Sequence, residues 1–125
     1  MQGFTVKSTI TPKQILFATS PYMAVGVIAS NESVAANSEG RKIIKAGTPM
    51  EGSLKARETP FTVASSSPTK VAGVLMNDVD VTDGNENATL IIHGFVNLNN
   101  MDSDTVSLVT ETVETALKGS ITFIK

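Results

Sequence analysis

The carboxylates with the closest spacing for metal chemistry lie in residues 78–84, DVDVTDG, where oxygen-bearing side chains recur at alternate positions. Calcium loops of this kind need a glycine at their sixth position and a bidentate glutamate at their twelfth. Counted from Asp78, those two positions hold Asp83 and Thr89. We therefore interpret the segment as a turn capped by its own Asp side chains, and we predict no metal site and no cofactor.

His93 is the only histidine of the chain, and it stands in the apolar stretch IIHGFV. Covalent catalysis would require a nucleophile within hydrogen-bond reach of such a base. The chain has no cysteine, and none of its serines stands in the G-x-S-x-G motif that exposes a nucleophilic serine. We therefore expect His93 to be a core or interface residue, and we predict that the chain is not an enzyme.

Three glycines stand alone within apolar stretches, namely Gly26, Gly73 and Gly94. Because they are isolated, they do not form the glycine-rich loop that binds phosphate groups. Single glycines within strands mark bulges or places where two backbones approach closely. We expect that structural role at all three positions.

The composition excludes several classes of partner and predicts a thin aliphatic core. A formal net charge of -2 gives no basic surface for nucleic acid, and no apolar run approaches the ~20 residues needed to span a membrane. The 125 residues form one domain by length, with no Trp, one Tyr and five Phe. A core of Val, Ile, Leu and Ala in so small a domain is marginally stable, and self-assembly is a common remedy.

Short apolar segments between turns rich in Gly and Pro predict a mainly β (α+β) fold with a small barrel- or sandwich-like body. Aliphatic and β-branched runs predict strands at residues 22–29, 42–45, 61–63, 71–76, 90–96 and 121–124. Apolar side chains at helical spacing predict one late helix at residues 103–118. We expect residues 22–125 to form a single domain. Residues 1–21 form an extended N-terminal arm, because Pro12 and Pro21 oppose a continuous helix.

Residues 70–97 form the densest apolar segment, and the reversal signal DGN at residues 83–85 suggests a hairpin. In its second strand we expect one face to carry Leu90, Ile92 and Val96, and the other to carry Ile91, His93 and Phe95. A strand that is apolar on both faces is either central in a core or covered by a partner. We therefore assign the second set to a predicted oligomer interface.

The N-terminal arm carries spaced apolar residues among Thr, Ser and Lys, namely Phe4, Val6, Ile10, Ile15, Leu16 and Phe17. Two interpretations remain open. The arm is either a strap over its own domain, since termini are ordered only when they are tied down, or a segment that docks on another chain as an added strand. Under the second interpretation, these six side chains are the predicted docking residues.

Four motifs occur in a fixed order along the chain: AGTPM at residues 46–50, VAGVLMNDVDV at 71–81, IHGFVN at 92–97 and ALKGSITFIK at 116–125. In this order they resemble the head-decoration proteins of tailed phages, above all those of phages and prophages of Gram-positive hosts, which are similar to head-fibre proteins. The head-decoration protein of phage lambda is a more distant likeness. The resemblance covers roughly residues 40–125 and rests on the order of the motifs more than on any one of them.

The resemblance implies a small β-rich domain that trimerises on the outer surface of an expanded phage head, binds the major capsid protein and cements the shell without catalysis. It implies synthesis in the host cytoplasm and a final place in the virion. The predicted docking residues of the arm would then bind the capsid, and the apolar hairpin would supply the surface for self-association. Two alternatives remain open, the capsid-bound base of a head fibre and a small β-rich module that binds a host surface.

Overall fold

The computed structural model describes residues 14–16, 22–32, 34–65 and 70–125, which form a mainly β fold. The strands are β1 (Met23–Ala29), β2 (Ile43–Ile44), β3 (Pro49–Glu51), β4 (Thr62–Val63), β5 (Val71–Leu75), β6 (Val79–Asp80), β7 (Glu86–Asn97) and β8 (Ile121–Ile124). A 3-10 turn (Leu98–Asn100) and two helices, α1 (Ser103–Val106) and α2 (Glu111–Ala116), lie between β7 and β8. Every predicted strand segment overlaps an observed strand, and the predicted fold class is confirmed.

Strand β7 is the centre of the larger sheet, whose main path runs in the order β1-β7-β5-β3-β4. β7 pairs antiparallel with β1 and with β5, and its last four residues pair in parallel with β8. It can serve three partners because it is twelve residues long and β5 and β8 pair with different parts of it. The short strands β2 and β6 pair with each other in a second, two-stranded sheet.

The larger sheet closes into a barrel-like body through Phe61, which lies directly before β4. The backbone N–H of Phe61 donates to the Ile28 carbonyl at 2.7 Å, and its carbonyl accepts from the Ser30 N–H at 2.8 Å. These two bonds form a parallel bridge between Ala29 and Phe61, and they join one end of β1 to the opposite end of the sheet. The Phe61 ring is fully buried. Closure removes part of the unpaired edge that an open sheet would expose.

Buried side chains form two clusters. The barrel cluster consists of Val27, Ala29, Ile44, Met50, Phe61, Leu75, Val81 and Leu90. The helix-side cluster consists of Ile15, Leu16, Ala46, Val74, Ile91, Val96, Met101, Val113, Leu117 and Ile121. Successive side chains of a strand point to opposite faces, so Val74 joins the helix-side cluster whereas Leu75 joins the barrel cluster. Both clusters are mainly aliphatic, as the composition predicts.

A bulge in β7 changes which of its side chains share a face. Met23 of β1 lies opposite His93, but the next residue of β1 lies opposite Ile91. Ile92 is therefore an extra residue in β7, and the alternation of faces is reversed beyond it. Ile91 and Val96 consequently share the helix-side cluster, although they are five positions apart. The predicted face assignment is wrong for Val96, because it assumed an unbroken alternation.

The predicted hairpin of residues 70–97 is a wider connection in the structure. Its two outer strands, β5 and β7, do pair antiparallel, with Val74 opposite Ile91. Between them β6 pairs with β2, and the chain reverses at Gly84, whose φ of +136° favours glycine. The chain thus reverses within residues 83–85, as predicted, but the connection also supplies β6, one strand of the smaller sheet.

The predicted late helical segment of residues 103–118 is present and is divided into two short helices. α1 ends before Ser107, whose hydroxyl donates to the Asp104 carbonyl at 2.6 Å. α2 begins after Thr110, whose side-chain oxygen accepts from the Val113 N–H at 3.3 Å as an N-cap. Ser and Thr side chains that bond to the nearby backbone compete with helix continuation, and β-branched residues favour it weakly. The segment therefore breaks where these residues are concentrated.

The described part of the N-terminal arm, residues 14–16, packs on the chain's own body. Ile15 and Leu16 are both buried in the helix-side cluster. Leu16 forms an antiparallel bridge with Val96, and the Asn97 N–H donates to the Ile15 carbonyl at 2.7 Å. Ile15 and Leu16 therefore act as the strap interpretation predicts, and they are not available to dock on another chain. The other predicted docking residues, Phe4, Val6, Ile10 and Phe17, lie outside the described residues.

Candidate interaction surface

The second half of β7 presents an exposed apolar surface. Five large hydrophobic side chains are exposed in the described part of the chain, and two of them, Met23 and Phe95, lie on this surface. Met23 lies opposite His93 in the β1–β7 pairing, and Phe95 lies opposite Thr122 in the β7–β8 pairing. We refer to these four residues, Met23, His93, Phe95 and Thr122, as the outer face.

Gly94 allows Tyr22 to approach β7 closely. Its φ is +146°, and a Cβ atom at this position would lie 3.1 Å from the Cβ of Tyr22. A residue with a side chain would be strained at this φ and would press against Tyr22. The structural role predicted for isolated glycines is therefore confirmed here, two positions after the extra residue Ile92.

The residue types of the outer face suit a contact between proteins. The face contains no Lys, Arg, Asp or Glu, so two copies can approach through it without repulsion between like charges. Aromatic residues and Met are enriched at the centres of protein interfaces, and exposed apolar patches mark interaction sites. The imidazole of His93 and the hydroxyl of Thr122 add groups that can form hydrogen bonds across such a contact.

Two of the three residues predicted for an oligomer interface lie on the outer face. His93 and Phe95 are exposed, so His93 is not a core residue. Ile91, in contrast, is fully buried in the helix-side cluster. It precedes the extra residue Ile92, and the reversed alternation beyond that point turns the side chains of His93 and Phe95 outward. Ile91 therefore stabilises the chain's own fold and does not belong to the candidate surface.

Sequence reasoning missed Met23 as a member of this surface. It paired the 90–96 segment with the 71–76 segment, because the two are close in sequence and joined by a clear turn signal. The pairing of β1 with β7 is a long-range contact, and no local pattern identifies it. The available signal was the strand pattern of residues 22–29, which indicated a strand but not its neighbour.

The carboxylates of the predicted Asp-capped turn are bonded to the protein itself. Asp80 accepts from the Thr82 N–H at 2.9 Å, from the Thr82 hydroxyl at 2.5 Å and from Arg41 Nε at 3.0 Å. Asp78 accepts from the Ala46 N–H at 2.7 Å. Arg41 lies before β2 and Ala46 after it, so the two carboxylates fasten the β6 turn to both sides of β2.

Hydrogen bonding lowers the pKa of Asp80 from 3.8 to about 2. The main cause is the hydroxyl of Thr82, followed by the Thr82 N–H and then by the guanidinium of Arg41. Among residues 14–16, 22–32, 34–65 and 70–125, no group of three or more His, Cys, Asp or Glu side chains could hold a metal ion. The carboxylates of this turn serve as structural acceptors, and the lack of a metal site stays a prediction.

The outer face and the Asp-capped turn differ in what they offer a partner. The turn uses its polar atoms within the chain, whereas the outer face leaves apolar side chains uncovered. No helix in the part of the chain that the structure describes is long and apolar enough to cross a bilayer. Comparison of the chain with models of known protein families and with curated protein sequences finds no match.

Proposed function

We propose that this chain is a structural decoration protein of a tailed-phage head, which forms a trimer on the outer surface, binds the major capsid protein and stabilises the shell. The observation that carries this proposal is the order of the four motifs at residues 46–50, 71–81, 92–97 and 116–125. These segments are neighbours in space: β5 and β8 both pair with β7, and the Leu75 N–H donates to the Thr48 carbonyl at 3.0 Å. The motifs thus belong to one packed unit, which supports a fold shared with that family.

The outer face and the composition of the core support self-association. Phe61 is the only aromatic residue among the largest fully buried side chains in the described part of the chain. A small domain with such a core gains stability when apolar surface is buried between copies. Met23 and Phe95 supply exposed apolar surface for that contact, and the outer face itself contains no charged residue.

A decoration protein acts by its position on the shell, and we assign no catalytic step to this one. Each contact between a copy and the shell can be weak, because the same contact recurs around a closed particle. When copies are also joined to one another, release of one contact leaves the others in place, and the effective concentration at the released site stays high. Stabilisation of the shell then follows from many modest contacts.

Heads of the encoding phage that lack this protein provide the test. Purified protein is added to expanded heads, which are then imaged by electron microscopy and heated until DNA is released. We expect trimeric density on the outer surface and a higher temperature of DNA release. Absence of density at saturating protein concentration would overturn the proposal, and binding to host cells with bare heads would favour a host-surface module instead.

A matched pair of variants distinguishes a specific self-association surface from non-specific hydrophobic association. Phe95 on the outer face and Leu108 near the helices are both large apolar residues, with 36% and 41% exposure. Phe95→Asp should abolish trimeric density, whereas Leu108→Asp should preserve it. Equal loss in both variants, with both folded, would reject the outer face as the self-association surface.

A further inference from the structure

One edge of β1 is only partly covered. β1 pairs with β7 along its whole length on one side. On its other side the bridge between Ala29 and Phe61 covers the last residues only. Among the described residues, no strand pairs with β1 at residues 24–26 on that side. We refer to residues 24–26 as the open edge.

Within the open edge, the backbone groups of Ala24 and Gly26 point away from β7. The Ile28 carbonyl and the Ser30 N–H both bond to Phe61 on the outer side of β1. Backbone groups of a strand alternate between its two sides, so those of Ala24 and Gly26 point to the same side as those of Ile28 and Ser30. Arg57 confirms this direction, because its Nη1 donates to the Gly26 carbonyl at 2.8 Å. Unpaired groups in such a row are a template for another strand.

A groove adjoins the open edge at Gly26 and lies between the turn at residues 54–58 and the paired residues 26–28 of β1 and 87–88 of β7. Its volume is about 460 Å³, and its charged lining is mixed, with Lys55, Arg57 and Glu58. Leu54, which is 43% exposed, forms an apolar part of the wall. At Gly26 an added Cβ would meet no atom within 4 Å. The groove therefore leaves room for side chains of a segment added at Gly26, and an N–H of that segment can replace the exposed Arg57 at the Gly26 carbonyl.

The chain itself contains a segment with the pattern of an edge strand. Residues 4–11, FTVKSTIT, place apolar Phe4, Val6 and Ile10 at even positions and polar residues at the odd ones, and Pro12 follows directly. This alternation with Thr and β-branched residues is typical of a strand with one apolar face. Residues 1–21 include two Lys and no acidic residue, so all twelve acidic side chains lie in residues 22–125 with eight basic ones. The net charges of residues 1–21 and 22–125 are thus opposite in sign, whereas the charged lining of the groove itself is two basic residues and one acidic one.

Even a fully extended arm of the same copy barely reaches far enough to centre this segment on Gly26. Gly26 and Leu16 lie opposite positions 89 and 96 of β7, so about 20 Å of strand separates them when the extra residue Ile92 is discounted. Gln14 lies about 6 Å further from Gly26, since the chain continues in the same direction. Lys7, the middle of the segment, reaches at most about 25 Å from Gln14. A neighbouring copy is under no such restriction.

We propose that the open edge of one copy accepts residues 4–11 of a second copy as an added strand. Backbone hydrogen bonds to residues 24–26 supply affinity, and the apolar side of the segment packs against Leu54 in the groove. The contact joins different surfaces of the two copies, so its repetition is head-to-tail and closes into a ring when the rotation allows it. This deepens the self-association in the proposed function, but it requires no capsid.

Cysteine cross-linking in solution tests the exchange, because the chain has no cysteine of its own. The Gly26→Cys protein is mixed with a second protein that is lengthened by a tag and carries Thr5→Cys or Ser8→Cys. Positions 5 and 8 lie on opposite faces of the segment, so the two variants test both faces. The matched control replaces Thr112, an exposed residue of α2. We expect the disulfide-linked pair to form about tenfold faster with Thr5→Cys or Ser8→Cys than with Thr112→Cys, because pairing raises the local concentration.

A proline in the arm provides a second measurement that leaves the described body unchanged. Val6→Pro removes a backbone N–H from the incoming segment and should reduce cross-linking of Ser8→Cys to the rate of the Thr112→Cys control. Two results would overturn the exchange. The first is that, without the proline, Thr5→Cys and Ser8→Cys cross-link to Gly26→Cys no faster than Thr112→Cys does. The second is that cross-links form only inside a single chain that carries both cysteines. Normal decoration of heads without cross-links would reject the exchange alone, whereas cross-links without decoration would reject the proposed function alone.

Discussion

Asp80 shows how one side chain fastens separate parts of this chain. Its carboxylate accepts hydrogen bonds from Thr82 in its own turn and from Arg41, which is 39 positions away in sequence. The side chain of Arg41 is 46% exposed and that of Asp80 is 21% exposed, so water screens the charge part of this pair. The hydrogen bonds from Thr82 are accordingly the larger cause of the lowered pKa of Asp80.

Replacement of Asp80 by Asn should lower the free energy of unfolding at neutral pH by about 1 kcal/mol and have little effect near pH 2. Folding lowers the pKa of Asp80 from 3.8 to about 2, so its contribution is present above about pH 4 and is lost as the pH falls through about 2. Thermal unfolding of both proteins across this range measures the change. Asp83→Asn, in an exposed position of the same turn, should show a smaller effect. A difference that does not vary with pH would contradict the assignment.

Charges introduced at Ile91 and Phe95 should have different effects. Ile91 is fully buried, so Ile91→Asp should destabilise the fold by more than about 3 kcal/mol, and the purified protein should lose its cooperative melting transition. Phe95 is 36% exposed, so Phe95→Asp should keep the fold and weaken self-association. Circular dichroism measures the first effect and sedimentation velocity the second. A folded Ile91→Asp protein that sediments as a monomer would return Ile91 to the interface.

At the scale of the element, the strands could be predicted from the sequence, whereas their pairing could not. The aliphatic runs identified β5 and β7, but the bulge at Ile92 arises from pairing with β1, which is distant in sequence. The strand pattern therefore identified His93 and Phe95 as surface residues, but it wrongly assigned the buried Ile91 to the same surface. The N-cap hydrogen bond of Thr110 divides the helical segment into two helices. The prediction used only the spacing of apolar residues, which carries no information about such a local hydrogen bond.

The contact between β5 and β7 depends on Gly73. A Cβ at this position would lie 2.1 Å from the Ile91 carbonyl oxygen, which is part of the backbone and cannot move aside alone. Gly73→Ala should therefore lower the free energy of unfolding by more than about 4 kcal/mol. Gly26→Ala is the matched control, since nothing lies within 4 Å of its Cβ position, and it should be neutral or stabilising by up to about 1 kcal/mol. Equal chemical denaturation midpoints for the two variants would refute this account.

At the scale of the whole molecule, the body includes part of what the sequence pattern assigned to the arm. Ile15 and Leu16 lie in the helix-side cluster, and the Asn100 side chain donates to the Gln14 carbonyl at 2.9 Å. The boundary between arm and body was predicted from prolines and irregular spacing, which report on helix formation and not on burial. Packing of short apolar segments depends on the shape of the surface that receives them, and that shape forms only in the folded chain.

Removal of residues 1–11 should change the melting temperature of the dilute protein by less than about 2 °C, because the buried anchors Ile15 and Leu16 stay in place. The same truncation should sharply reduce retention on phage heads that lack the protein. Differential scanning calorimetry and a particle-binding assay measure the two effects. Leu16→Asp should instead destabilise the body by about 3 kcal/mol or more. A truncated protein that decorates heads at full occupancy would eliminate any docking role for the arm.

The central place of β7 has a consequence for synthesis on the ribosome. Strands β1 and β5 both pair with β7, which ends at Asn97 in a chain of 125 residues. At roughly 5–20 residues per second, the earlier strands wait several seconds for their common partner to emerge. During that delay the edge of β1 that later pairs with β7 is uncovered, and nascent chains on neighbouring ribosomes can associate through it. When many copies are made at once, unfinished chains are therefore prone to aggregate through β1. Chaperone binding to the unfinished chain would reduce that aggregation.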